Sequence, residues 1–132
     1  MIVSAIGIAD ENVMCSFLDV FENDWFYSYV GAAQKAEIIR GISEDIFGVR
    51  LKITRQDAAV IIERAAEYMN KTLETERDFT DFTDGSMIAD YAADSVKHLY
   101  ESGIINGMDD GSFKPKNTCT RAEAAKMIYG LL

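Results

Sequence analysis

The chain repeats itself at a spacing of 66 residues. Laying Asp24–Ala66 over Asp90–Leu132 gives eleven identities, carried in the first copy by Asp24, Val30, Ile38, Ile39, Gly41, Phe47, Thr54, Arg55, Ala58, Ala59 and Ile62. Chance at this composition would give roughly two or three. The matches cluster as II-x-G and TR-x-x-AA at fixed separation, and with one residue of slack "FLD" at Phe17–Asp19 meets "FTD" at Phe82–Asp84.

Each copy reads as helix, long loop, helix, which makes the expected fold class all-α. In the first copy Phe26, Tyr29, Val30, Ala33 and Ala36 fall on one helical stripe; in the second, Ala92, Val96, Leu99 and Gly103 do so. Gly41 and Gly107 can stop a helix in a left-handed conformation or admit a close neighbour. A second helix starts at Thr54 or Thr120. Its inward faces are Ala58, Ile61, Ile62, Ala65 and Met69, and Ala124, Met127, Ile128 and Leu131. The polar run Asn70–Asp81 is the expected linker. "MIVSAIGI" at the start is similar to "MIYGLL" at Met127–Leu132, which predicts the tail of a preceding repeat. The expected organisation is therefore residues 1–16 as that tail and a linker, 17–73 as one repeat, and 74–132 as a linker and a second repeat.

Charge excludes some functions. Twenty-two acidic side chains against 13 basic ones give a net charge of −9, with no basic cluster. A nucleic-acid partner needs such a face to release counterions, and anionic lipid is disfavoured for the same reason. No apolar run reaches membrane-spanning length, so membrane insertion is not expected. Cys15 and Cys119 sit in no metal spacing and read as small hydrophobes. Asp109-Asp110-Gly111 lacks the alternating oxygen ligands and closing Glu of a calcium loop, and reads as a turn. The sole histidine, His98, lies off the apolar stripe of its helix. No metal, cofactor or catalytic residue is expected, and the chain does not read as an enzyme.

Thr54-Arg55-Gln56-Asp57 and Thr120-Arg121-Ala122-Glu123 have the form of capping boxes, with Thr54 and Thr120 as caps and Asp57 and Glu123 as the returning acids. That leaves the arginines unexplained, because a cation in the first turn opposes the helix dipole. Two accounts stand side by side. One is an ion pair to a carboxylate of the neighbouring repeat, Asp19 or Asp84 for example. The other is an anion-binding corner, where a planar guanidinium and free helix-terminal N–H groups face one point.

The order F-x-D, aromatic at a helix start, II-x-G, D-G-x-F-x-P, T-R-A-E resembles the S-layer homology (SLH) repeat. The second copy carries "FTD", Tyr91, "GIING", "DDGSFKP" and "TRAEAAKMI"; the first carries "FLD", "DWF", "EIIRG", Phe47 and "TRQDAAVII". The resemblance implies repeats packed as part of a pseudo-threefold prism around a central helical bundle. It implies non-covalent anchoring of an exported protein at the bacterial cell wall or surface. The implied partner is an anionic secondary cell-wall polysaccharide attached to peptidoglycan, often bearing pyruvate ketals, held in grooves between repeats. Carried over, the glycan-binding residues are Arg121, Arg55, Asp84, Asp19, Trp25, Tyr91, Gly107 and Gly41. The first copy departs from the pattern: its loop "SEDIFGVRLKI" lacks the D-G turn and the proline, and Gln56-Asp57 replaces Ala-Glu. In the second copy Tyr91 replaces Trp. With one repeat short of the prism, two alternatives stand: one complete groove, between Phe17–Met69 and Phe82–Leu132, or self-association of two chains, which exposure of Leu131 and Leu132 would favour. The rival function is a structural protein–protein assembly module, in which the arginines form inter-repeat salt bridges and no glycan binds.

Overall fold

A computed structural model describes all 132 residues and contains helices without a single strand. The chain forms two compact units, Met1–Leu51 and Lys52–Leu132. The division falls inside the first sequence repeat, so its second helix packs with elements of the second repeat.

The first unit holds α1 (Ile2–Ala5) and α2 (Tyr27–Lys35). One cluster packs Val3 and Val13 against Ala32 and Ala33; another packs Phe17, Val20 and Val30, with Phe47 and Ile39 at its edge. Gly31 lets α2 lie close to the chain at Val13 and Met14, where a Cβ would come within 3.0 Å of the Val13 side chain. The helix begins one residue later than its apolar stripe, with Phe26 as N-cap and Trp25 outside it.

The second unit holds α3 (Arg55–Tyr68), a 3-10 turn at Gly85–Met87, α4 (Asp90–Glu101) and α5 (Arg121–Leu131). α3 packs on both α4 and α5. That explains why Ala58, Ala59, Val60, Ile62, Ala65 and Ala66 are all buried, more than a single stripe would require. Small alanines permit such two-sided packing at close helix spacing. Ala92, Val96 and Leu99 form the buried stripe of α4.

α2 and α4 end identically. Ile38 N–H donates to Ala33 O and Glu37 N–H to Gln34 O; Ile104 N–H donates to Leu99 O and Gly103 N–H to Tyr100 O. This is a Schellman closure, which needs one left-handed residue. Gly103 supplies it at φ 74°, whereas the first unit uses Glu37 at φ 58°. Gly103 therefore lies beyond α4 as its terminator rather than on its apolar stripe, and Gly41 and Gly107 lie well past the helix ends. Leu131 is fully buried, contrary to the expected exposure, because α5 turns that face onto α3; Leu132 remains exposed.

Candidate functional site

The two T-R motifs have opposite fates. At the start of α3, Thr54 Oγ1 accepts from Asp57 N–H, as an N-cap does. The first-turn N–H groups are closed by the loop that precedes α5: Arg55 N–H donates to Asn117 O at 2.9 Å and Gln56 N–H to Pro115 O at 3.0 Å. Arg55, only 5% exposed, donates Nε–H to Phe113 O at 2.8 Å and pairs through Nη1 with the Glu123 carboxylate. Its guanidinium lies 5.0 Å from the centre of the Phe113 ring. The wrong-sign charge is thus absorbed by a carbonyl, a carboxylate and an aromatic face. Its acid is Glu123, not Asp19 or Asp84.

At the start of α5, Thr120 and Glu123 close a full capping box: Glu123 N–H donates to Thr120 Oγ1 and Thr120 N–H to Glu123 Oε2. The Glu123 carboxyl is held below its ordinary value by that Thr120 N–H first, against a smaller push from burial, with Arg55 adding to the effect. Arg121 is exposed and has no hydrogen bond or ion pair, and the N–H groups of Arg121 and Ala122 have no acceptor. Because Arg55 neutralises Glu123, this helix end presents one unbalanced positive charge beside free N–H donors.

Asp57 differs from Glu123. Its carboxylate does not reach back to its cap; it accepts the Tyr91 phenol proton at 2.5 Å, while Gln56 Nε2 donates to the Tyr91 hydroxyl oxygen at 3.4 Å. Asp is one methylene shorter than Glu, and Tyr91 competes for it. The Asp57 bond, then burial, pushes the Tyr91 phenol up to about 12. Gln56 Oε1 meanwhile accepts from Ala89 N–H at 2.9 Å, fixing the entry to α4.

Asp19 and Asp84 are loop clamps. Asp19 accepts from the N–H groups of Phe47, Gly48 and Val49 at 2.8, 2.8 and 3.1 Å; Asp84 accepts from Phe113 and Lys114, both at 2.8 Å. Burial pushes the Asp19 carboxyl up, but the N–H donors prevail and hold it below its usual value. The phenylalanines of the same F-x-D motifs pack on the loop phenylalanines, Phe17 on Phe47 at 5.6 Å and Phe82 on Phe113 at 5.2 Å. Gly41 and Gly107 are the floor of this packing. A Cβ at Gly41 would lie 2.7 Å from the Phe17 ring and collide with Ile46 O, and one at Gly107 would lie 2.8 Å from the Phe82 ring. Only Gly41 also has positive φ, at 70°.

Trp25 is 82% exposed, braced edge-on by Phe26 and Tyr29 at 5.5 and 6.4 Å. Tyr91 is 64% exposed despite its bonded hydroxyl. Asp110 Oδ1 accepts from both the N–H and the hydroxyl of Ser112, which makes Asp109-Asp110-Gly111 a local turn. Cys15 and Cys119 are free thiols, and burial pushes Cys119 up. No helix is long and apolar enough to cross a membrane.

Sequence reasoning passed over Arg77, in the linker. It stacks at 3.9 Å on Tyr100 and donates to the carbonyls of Tyr100 and Ile105 and to Asn106 Oδ1. It also passed over Glu63, which joins α3 to α4 through Ser95 and His98. A lone basic residue before an aromatic-rich repeat was the only signal for the first; the second has none in sequence.

Comparison with known families decides the class. The model of the S-layer homology domain matches residues 16–59 and 81–125. The chain belongs to the S-layer homology family. Among its relatives, an amylopullulanase of Thermoanaerobacterium thermosulfurigenes is 38% identical over 132 residues, all of this chain and 7% of that protein. An exoglucanase, XynX, of Acetivibrio thermocellus is also 38% identical over the whole chain, there 12% of the protein. A cellulosome-anchoring protein of Acetivibrio thermocellus is 30% identical over 104 residues, 77% of this chain and 22% of that protein. The SLH chain thus spans at most about a fifth of the length of these relatives, and two of them with enzyme names share with it only a small part.

Proposed function

We propose that this SLH chain is a non-catalytic anchoring module of a larger exported protein, holding it at the bacterial cell wall by binding an anionic secondary wall polysaccharide. The observation that carries the reading is the α5 N-terminus: an exposed, unpaired Arg121 beside free N–H groups, in a family with members named for S-layers and cellulosome anchoring. A carboxylate such as a pyruvate ketal suits a guanidinium fork and helix-terminal donors. With a net charge of −9 and a Debye length of about 8–10 Å, binding must rely on such local donors rather than long-range attraction. The open face of Trp25 offers a sugar ring an apolar platform. Asp19, Asp84, Gly41 and Gly107 enter by shaping the loops, Tyr91 by its exposed ring. Arg55 is assigned to the scaffold, because its donors are spent.

The assembly-module reading draws on one observation, the Arg55–Glu123 pair. Co-sedimentation separates the two. The anchor reading expects pelleting with intact cell-wall sacculi, none with sacculi stripped of secondary polymer by hydrofluoric acid, and loss of pelleting in Arg121→Ala. Equal pelleting of Arg121→Ala, or none by the folded wild type, would count against it.

A further inference from the structure

The acids of the two T-R motifs do different work, and the difference lands on Tyr91. Glu123 closes the capping box of its own helix, whereas Asp57 turns away from its cap and accepts the Tyr91 hydroxyl proton at 2.5 Å. Gln56, where the second copy has Ala122, adds two bonds to the same turn. Its Nε2 donates to the Tyr91 hydroxyl oxygen at 3.4 Å, and its Oε1 accepts from Ala89 N–H at 2.9 Å. Gln56 is buried, so its amide is itself held in place. All three bonds tie α3 to the start of α4, within the Lys52–Leu132 unit. The phenol, pushed up to about 12, keeps its proton and with it the Asp57 bond across the neutral range.

An exposed aromatic side chain on a helix is free to exchange χ1 rotamers. Tyr91 is instead tied at its tip while most of its surface stays open. Trp25, at the same place in the first copy, is braced by rings and has no hydroxyl to tie. We infer that Gln56 and Asp57 are positioning residues for the wall polysaccharide: they fix the Tyr91 ring in advance, so that a sugar ring of the polymer stacks on it. The inference rests on the polysaccharide reading and adds to it a role for the Gln-Asp pair that capping does not explain. The two departures from the family pattern belong together, since the hydroxyl that a Trp lacks is what Gln56 and Asp57 hold. Ordering one side chain before binding is worth about 2- to 10-fold in affinity.

Pelleting titrations with intact sacculi, together with χ1 couplings of residue 91 measured by NMR without polymer, test this. The wild type should show a single rotamer. Asp57→Ala, and Tyr91→Phe, which keeps the ring, should each average rotamers and raise the half-saturation concentration by about 2- to 10-fold. The double variant should bind no more weakly than either single one, because one tether is lost once. Asp57→Asn retains an acceptor oxygen and should recover most of the loss. Circular dichroism confirms that each variant is folded. An averaged Tyr91 in the wild type, single variants that bind as the wild type does, or losses that add in the double variant overturn the inference and leave the polymer reading standing. A wild type with a fixed Tyr91 that does not pellet with intact sacculi overturns the polymer reading, and this inference with it.

Discussion

The N-termini of α3 and α5 begin with the same Thr-Arg pair and differ in almost everything that surrounds it. At α3 the Arg is buried, paired and roofed by a loop; at α5 it is exposed and alone. Local sequence sets the cap in both places. What decides between a sealed and an open arginine is the tertiary neighbour, a loop about sixty residues further along that reaches one helix end and not the other.

Substituting the two arginines should separate them most widely. Arg55→Ala leaves Glu123 Oε1 and Phe113 O without the Arg55 donor, while Glu123 Oε2 keeps Thr120 N–H. Because the Glu123 side chain keeps 32% exposure, we expect a loss of about 2–3 kcal/mol, below the full range for a buried pair. Arg121→Ala should change stability by less than about 0.5 kcal/mol. Urea unfolding measures both, and equal losses would erase the distinction.

The glycines should sharpen the comparison between repeats. Gly41→Ala meets a backbone carbonyl and a ring at positive φ, and should cost about 3 kcal/mol; Gly107→Ala meets the buried Phe82 ring and the Ser112 carbonyl at 3.0 Å but without positive φ, and should cost less, about 2 kcal/mol. Thermal unfolding of the pair gives the order, and a reversed order would mean the loop floors are not as described.

Acid and alkali act on two different bonds at the start of α3. Glu123 has a lowered carboxyl in the fold, so the unfolded chain binds its proton more readily. Its contribution is present above the ordinary value of 4.5 and is lost as pH falls below that through the folded value. Tyr91 is raised from 10 to about 12, so its contribution is present below pH 10 and lost as pH climbs towards 12. Stability against pH in wild type and Tyr91→Phe should differ below pH 10 and converge on the alkaline side, the variant lacking that loss.

The smallest effect expected is a gain. Glu37 holds a left-handed position that Gly103 fills in the second repeat. Glu37→Gly should stabilise by about 0.5 kcal/mol, the relief of a left-handed side chain less the freedom a glycine adds to the unfolded chain. A loss in denaturant titration would show that the Glu side chain makes up for its strain.

The helices, the register of the repeat and the threonine caps were legible because they depend on neighbours three or four residues away. The fate of each arginine was not, since "TRQDAA" and "TRAEAA" carry the same local information. The same limit hid the Asp19 and Asp84 clamps, whose partners lie 28 to 30 residues downstream, and the burial of Leu131, fixed by packing on α3. Arg77 shows the converse: a residue in a polar linker became a strut because an aromatic ring and three oxygens happen to converge there.

The contrast between a sealed and an open arginine can be read in one experiment: phenylglyoxal labelling followed by peptide mass spectrometry, with dilute protein, in the presence and absence of intact wall sacculi. The account predicts rapid labelling of Arg121 that intact sacculi suppress, and slow labelling of Arg55 whether or not sacculi are present. Equal rates at the two arginines, or an Arg121 rate that sacculi leave unchanged, would contradict it.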